Sequence, residues 1–141
     1  MIHTENPTNG QVDEVYVEAC RGLGESLVST KPGQAMSFIY NKQNGSANIV
    51  AFPNKPIGLF ADGFIFRSDS NSEDLAGFAG AGLFDSYPML EEKEFRVEYS
   101  KERLCENRDF QREFMRKCGE IGTSIEKLYK GEAQDVEGAF Y

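Results

Sequence analysis

The strongest structural pattern in the chain lies in residues 107–129, NRDFQREFMRKCGEIGTSIEKLY. Apolar residues recur there at intervals of three and four, which is the spacing of one face of an α-helix. These positions are Phe110, Phe114, Cys118, Ile121, Ile125 and Leu128. Because most other positions are charged, we predict a surface helix with one buried stripe. Lys130 and Gly131 would end it, as a basic last turn and a glycine at C′.

The segments before this helix predict β-strands. In residues 12–19, Val15, Val17 and Ala19 share one face, while Tyr16 and Glu18 share the other. Further strands are predicted over residues 35–40, 48–52, 64–66 and 93–99, with a short helix over residues 26–29. Both ends of the chain, Met1-Ile2-His3 and residues 134–141, also have strand character. We therefore predict an α+β fold, with a mostly antiparallel sheet flanked by helices.

Composition limits the class of protein. The 141 residues are 40% hydrophobic, which is enough for one core, so we expect residues 1–141 to form a single domain. Lys and Arg number 15 against 23 Asp and Glu, giving a net charge of −8, and nucleic acid is therefore not an expected partner. No apolar run could span a bilayer, and no signal peptide is visible, so no membrane partner is expected either. The three widely spaced cysteines predict reduced thiols in an intracellular protein.

A glycine-rich stretch follows the predicted strand at residues 64–66. Arg67 opens it with a fixed fork of donors, and glycines, Gly80 and Gly82 among them, would let backbone N–H groups approach an anion closely. This order suits phosphate groups, although the final Gly-Lys-Ser/Thr of a Walker P-loop is missing. The alternative is a structural turn, in which Arg67 pairs with a nearby carboxylate. Its candidate partners are Asp69, Glu73 and Asp74.

Blocks of sequence along nearly the whole chain resemble one enzyme family. The blocks are Ile2-His3-Thr4, Asn6-Pro7, Glu14-Val15-Tyr16, Gly22 to Val28, Pro32-Gly33, Lys55 to Phe60, Phe66 to Met89, Ile125 to Tyr129 and Ala133 to Gly138. In this order they resemble the C-terminal part of the alpha-glucan water dikinases, relatives of pyruvate phosphate dikinase and phosphoenolpyruvate synthase. The resemblance implies the C-terminal portion of an ATP-grasp nucleotide-binding domain, truncated at both ends.

The resemblance also implies an activity. In that family, ATP gives its β-phosphate to a histidine on a separate domain of the same polypeptide and its γ-phosphate to water. The phosphohistidine then phosphorylates an α-glucan. The implied cofactors and partners are ATP, magnesium (Mg²⁺), α-glucan and the phosphohistidine domain. Because half of the nucleotide cleft would lie outside this chain, we expect the fragment alone to be inactive.

Site residues follow from the same resemblance. Asp135 and Glu137 are two apart on a predicted strand and would face one way, and they are expected to bind the nucleotide and its metal. Arg67 would stabilise the transferring phosphoryl group as a catalytic residue, with Gly80 and Gly82 beside the phosphates. Glu25 would take ribose hydroxyls or a metal. The alternative for Asp135 and Glu137 is that they form a solvated acidic face of a strand. The alternative for Glu25 is that it lies in the first turn of a helix, where the helix dipole favours a carboxylate.

Three further expectations complete the prediction. His3, the one histidine, is expected to satisfy a local hydrogen bond and not to carry phosphate. The alternative function is a non-catalytic glucan- or protein-binding module of dikinase ancestry. It would use exposed aromatics, although these fit a core better; they are Tyr40, Phe52, Phe60, Phe78, Phe84 and Tyr87. The expected location is the cytoplasm, with the plastid as the alternative.

Overall fold

The structure, a computed structural model, describes residues 1–62, 65–67 and 86–140. Its strands are β1 (Ile2–His3), β2 (Glu14–Ala19), β3 (Met36–Asn41), β4 (Ala47–Ala51), β5 (Ile57–Phe60), β6 (Ile65–Arg67), β7 (Ser86–Pro88), β8 (Lys93–Arg96) and β9 (Asp135–Val136). Its helices are α1 (Gly24–Val28), α2 (Arg103–Glu106) and α3 (Arg108–Leu128), with a 3-10 turn at Tyr99–Lys101. The predicted α+β class is confirmed.

Five strands form one antiparallel sheet in the order β4-β3-β2-β1-β9. Two antiparallel ribbons, β5 with β8 and β6 with β7, complete the described strands. The first and last strands lie side by side, with Ile2 opposite Val136 and His3 opposite Asp135. Chain folding therefore brings together two segments that are far apart in sequence.

The core lies between this sheet and α3. Val15 and Phe38 are fully buried and Val17 is 2% exposed, and all three pack in one cluster with Phe114 and Cys118 of the helix. The alternation predicted for β2 is confirmed, because Tyr16 and Glu18 are only half-buried. One face of the sheet is thus covered by α3, and the opposite face carries the more exposed side chains.

The long helix is confirmed, but its buried stripe differs from the prediction. Asn107 caps α3, its side chain accepting from the N–H groups of Asp109 and Phe110 at 3.1 and 2.9 Å. Ile121 is 41% exposed and Leu128 is 80% exposed, so the prediction was wrong for both residues. The buried residues of α3 are Phe114, Met115, Cys118, Gly119 and Gly122.

Two glycines explain that shift. A Cβ on Gly119 would lie 2.2 Å from the ring of Tyr40, and one on Gly122 would lie 2.9 Å from Cγ2 of Ile2. The helix backbone therefore touches the sheet along its glycine side. A pattern built on large apolar residues does not count glycine. The predicted stripe therefore included the exposed Ile121 and Leu128 and left out Gly119 and Gly122.

Several boundaries also differ. Lys130 occupies C′ with φ 60°, and Gly131 is the following residue, whose N–H donates to the carbonyl of Glu126 at 2.9 Å. The prediction of glycine at C′ was therefore wrong by one position. The predicted C-terminal strand is restricted to β9, since only Asp135 and Val136 pair with β1. The strand predicted over residues 93–99 ends at Arg96 and is exposed, as expected.

The three thiols are free, and none of them is strongly acidic. Burial raises the pKa of Cys118 to about 12. Burial also raises the pKa of Cys105 and of Cys20, although the nearby Lys55 ammonium acts in the opposite direction on Cys20. These residues therefore lack the lowered pKa of a reactive cysteine.

Candidate functional site

A row of side chains crosses the face of the sheet opposite α3. In register order across the five strands, the row contains Asp135, His3, Tyr16, Ile39 and Asn48. Residues directly opposite each other in a sheet share a face, and we call this set the open-face row. Its two ends, Asp135 and Asn48, are exposed, and its middle is half-buried. The row is thus a shallow surface with a carboxylate at one edge.

His3 and Asp135 form a direct side-chain contact. Nδ1 of His3 lies 2.6 Å from Oδ1 of Asp135, which is a short hydrogen bond to a carboxylate. A neutral imidazole must carry its proton on Nδ1 to donate to this carboxylate. His3 therefore makes a hydrogen bond, as expected, but the bond is not local in the sequence. Its partner is 132 residues away, and no local sequence pattern could have identified it.

Thr4 anchors the start of β9. Its backbone N–H donates to the carbonyl of Gln134 at 2.9 Å, and its hydroxyl accepts from the N–H of Gln134 at 2.7 Å. Thr4 is fully buried. Both the N–H and the carbonyl of Gln134 are therefore hydrogen-bonded to Thr4. These two bonds hold the start of β9 against β1.

Asn6 makes the turn after β1 rigid. Its side-chain amide donates to Glu14 at 2.6 Å, and its Oδ1 accepts from both the N–H and the hydroxyl of Thr8. Asn6 is also fully buried. The matching block that contains Asn6 and Pro7 thus has a structural role, which is to hold the hairpin between β1 and β2.

Asp135 and Glu137 flank Val136 at the edge of the sheet. Both acidic residues are exposed, whereas Val136 is half-buried and packs against the core. Because β9 ends at Val136, Glu137 follows the strand, and the shared face of the two carboxylates stays a prediction. In the described part of the chain, no group of three His, Cys, Asp or Glu residues could hold a metal ion. A pair of carboxylates nevertheless fits Mg²⁺, which commonly takes one or two of them and completes its shell with phosphate oxygens and water.

Glu25 lies half-buried in the first turn of α1, and that turn is attached to β5. The N–H of Leu23 donates to the carbonyl of Leu59 at 2.7 Å, and Ser26 Oγ accepts from the N–H of Leu59 at 2.7 Å. Gly22 has φ +108°, and a Cβ there would lie 2.5 Å from the Leu59 carbonyl oxygen. Within residues 1–62, 65–67 and 86–140, no hydrogen bond or ion pair joins Glu25 to the open-face row.

The sequence analysis did not identify Lys55, a buried cation at the C-terminal end of α1. Lys55 is 5% exposed, and its ammonium donates to the carbonyl of Ser29, just after α1, at 3.1 Å. A cation at a helix C-terminus satisfies free carbonyls there. The block from Lys55 to Phe60 therefore stabilises α1 and the Gly-Leu-Gly-Glu turn, through Lys55 at the end of the helix and Leu59 at its start.

The proposed phosphate element lies at the limit of the described residues. Arg67 ends β6 and pairs with Ser86 of β7. Gly80 and Gly82 lie outside the described residues, as do the acidic residues suggested as pairing partners of Arg67. The roles given to Arg67, Gly80 and Gly82 remain predictions.

The aromatic residues divide into two groups. Tyr40 is 7% exposed, as the core interpretation predicts. Phe52 is 57% exposed and Tyr87 is 63% exposed, so that interpretation was wrong for these two. Phe60 is half-buried and packs edge-to-face on Phe95 at 5.5 Å. Phe78 and Phe84 lie outside the described residues.

Comparison with known proteins gives alpha-glucan water dikinases among the relatives of this chain. The chain is 49% identical over 140 residues to alpha-glucan water dikinase 1, chloroplastic, of Arabidopsis thaliana. It is 48% identical to alpha-glucan water dikinase, chloroplastic, of Solanum tuberosum, and 48% identical to alpha-glucan water dikinase 2 of Arabidopsis thaliana. Each alignment covers 98% of this chain but only 10%, 10% and 11% of the respective relative.

The chain thus spans about a tenth of the length of the curated relatives it matches. No protein-family model matches the sequence, and no solved structure does. In the described ranges, no helix has the length and hydropathy needed to cross a membrane. The resemblance predicted from the sequence blocks is confirmed along nearly the whole chain. Over nearly its whole length, the chain therefore corresponds to one segment of the alpha-glucan water dikinases, to which it is 46–49% identical.

Proposed function

We propose that this chain is the ATP-binding part of an alpha-glucan water dikinase, forming the C-terminal portion of an ATP-grasp domain. The observation that carries the proposal is the pair of exposed carboxylates, Asp135 and Glu137, at the edge of an open sheet face. The family relationship supplies a reason for a nucleotide there. In the whole enzyme, the β-phosphate of ATP would pass through a phosphohistidine to α-glucan, and the γ-phosphate would pass to water.

In this proposal, Asp135 and Glu137 hold the Mg²⁺ of the nucleotide. The ion, when bound, neutralises charge on the phosphate oxygens, which is the main requirement of phosphoryl transfer. Oδ1 of Asp135 accepts the hydrogen bond from His3, and Oδ2 of Asp135 binds the ion. The half-buried Tyr16 and Ile39 continue the same face of the sheet on the other side of His3 from Asp135.

Three more residues take roles from the resemblance. Arg67 stabilises the transferring phosphoryl group, and backbone N–H groups near Gly80 and Gly82 bind phosphate oxygens. Glu25 binds the ribose hydroxyls or a metal. His3 is not the phosphate carrier in this proposal, because the phosphohistidine of the family belongs to a separate domain. The chloroplastic relatives support a plastid location over the cytoplasm.

A binding experiment tests the role of Glu137. MgATP and a non-hydrolysable ATP analogue are titrated by calorimetry into the intact protein that contains these residues, as wild type and as Glu137→Gln. Loss of one metal-binding carboxylate should weaken Mg²⁺-dependent nucleotide binding tenfold or more, equivalent to about 1.4 kcal/mol. The matched control is Glu132→Gln, an exposed carboxylate in the same segment, which should bind as wild type does.

Other outcomes are equally informative. Equal binding by wild type and Glu137→Gln would show that the Asp-x-Glu pair is a solvated strand face. Glucan binding without nucleotide binding would favour the alternative, a non-catalytic binding module. That alternative has a specific observation in its favour, because Phe52 and Tyr87 expose aromatic surface.

A further inference from the structure

We propose that His3 is a positioning residue, which fixes the rotamer of Asp135 so that Oδ2 faces the metal-binding side. This inference rests on the proposed function and deepens it. It gives a role to the one histidine of the chain, which the proposed reaction does not otherwise use. It also gives a reason for the contact between the first and last strands of the sheet.

His3 is the more firmly held member of the pair. β1 is hydrogen-bonded on both sides, placing His3 between Tyr16 and Asp135. The His3 side chain is 20% exposed, and its ring lies 6.1 Å from that of Tyr16. The Asp135 side chain is 73% exposed on the edge strand. The imidazole of His3 therefore orients the carboxylate of Asp135, and not the reverse.

The chemistry of the contact suits a metal-binding carboxylate. The Nδ1–H of His3 takes Oδ1 at 2.6 Å, which leaves Oδ2 as the oxygen available to a cation. Groups that hydrogen-bond a metal ligand orient it, and their loss typically lowers metal affinity by about 10- to 100-fold. An isolated carboxylate on an edge strand would instead sample several rotamers and lose entropy when a metal binds.

The pair contributes little to holding the fold. An ion pair with so exposed a carboxylate adds little to stability, because solvent screens it. The β1–β9 ladder and the two Thr4–Gln134 hydrogen bonds already attach β9 to the sheet. A substitution of His3 should therefore separate positioning from folding.

The test uses two variants of the intact protein. His3→Leu removes the donor, whereas His3→Asn places an amide N–H close to the position of Nδ1. Binding of Mn²⁺ is measured by electron paramagnetic resonance with a non-hydrolysable ATP analogue present, and thermal denaturation is followed in parallel. We expect His3→Leu to weaken Mn²⁺ binding about tenfold, His3→Asn to restore most of it, and both to keep the wild-type midpoint of unfolding. In an Asp135→Asn background, His3→Leu should have no further effect.

Each contrary outcome is distinct. Wild-type Mn²⁺ affinity in His3→Leu, with weakened affinity in Asp135→Asn, would overturn the positioning role and leave the proposed function intact. An equal loss in His3→Leu and His3→Asn, or a loss that follows a lowered midpoint, would identify a structural role and overturn the proposal. Wild-type affinity in both Asp135→Asn and Glu137→Gln would overturn the proposed function itself.

Discussion

Gly119→Ala is expected to lower the free energy of unfolding by about 2 kcal/mol or more. The new Cβ would lie 2.2 Å from Cγ and 2.3 Å from Cδ1 of Tyr40, whose ring is buried between α3 and the sheet. Neither the helix backbone nor a buried ring can move away cheaply. This cost exceeds the gain of about 1 kcal/mol that alanine brings to a helix interior. Urea denaturation monitored by circular dichroism measures the change.

Two further variants make that result specific to the contact. Gly24→Ala in α1 is the matched control, because a Cβ there meets nothing within 4 Å, and its stability should not fall. Tyr40→Leu removes the ring, so adding Gly119→Ala to it should cost much less than in the wild type. A Gly119→Ala protein as stable as the wild type would contradict the close approach of α3 to the sheet.

Lys42→Met is expected to lower the free energy of unfolding by about 3 kcal/mol. The ammonium of Lys42 donates to both carboxylate oxygens of Glu126, at 2.8 and 2.7 Å, and to the carbonyl of Val12 at 2.5 Å. The two side chains are only 10% and 15% exposed. Removal of the cation would leave a nearly buried carboxylate without its partner. Denaturation curves at neutral pH give the difference.

The double variant Lys42→Met with Glu126→Leu should recover most of that loss, because no unpaired charge then remains. The matched control is Lys117→Met on the exposed side of α3. Its ammonium lies 3.6 Å from Glu113, with both side chains about half exposed, and the change should be small. A double variant as unstable as Lys42→Met would show that the lysine stabilises by packing and not by pairing with Glu126.

Local pattern was enough to predict the main elements. The alternation of Val15, Tyr16 and Val17 identified β2 and the correct buried face, because burial on one side of a sheet imposes a period of two. The spacing of Phe110, Phe114 and Cys118 identified α3. Neither prediction needed information from outside the segment concerned.

Features that depend on distant contacts could not be predicted in this way. The buried side of α3 is set by Gly119 and Gly122, whose importance depends on Tyr40 and Ile2 on other strands. Lys130 takes the left-handed position that a propensity rule assigns to glycine.

The candidate site shows the same division. The spacing of Asp135 and Glu137 predicts a shared face, although β9 itself ends at Val136. The contact with His3 requires β9 to pair with β1 in one register, and a shift of one residue would have put Val136 on that face. Registers between segments 132 residues apart are set by the whole sheet. The positioning of Asp135 is therefore a property of the fold.

The most direct test of the nucleotide site is anomalous diffraction at the manganese edge. Crystals of the intact protein would contain Mn²⁺ and a non-hydrolysable ATP analogue. We predict a manganese peak at coordination distance, about 2.1 Å, from carboxylate oxygens of Asp135 and Glu137, with Asp135 still bonded to His3. A metal and nucleotide bound elsewhere, with both carboxylates facing solvent, would contradict the account.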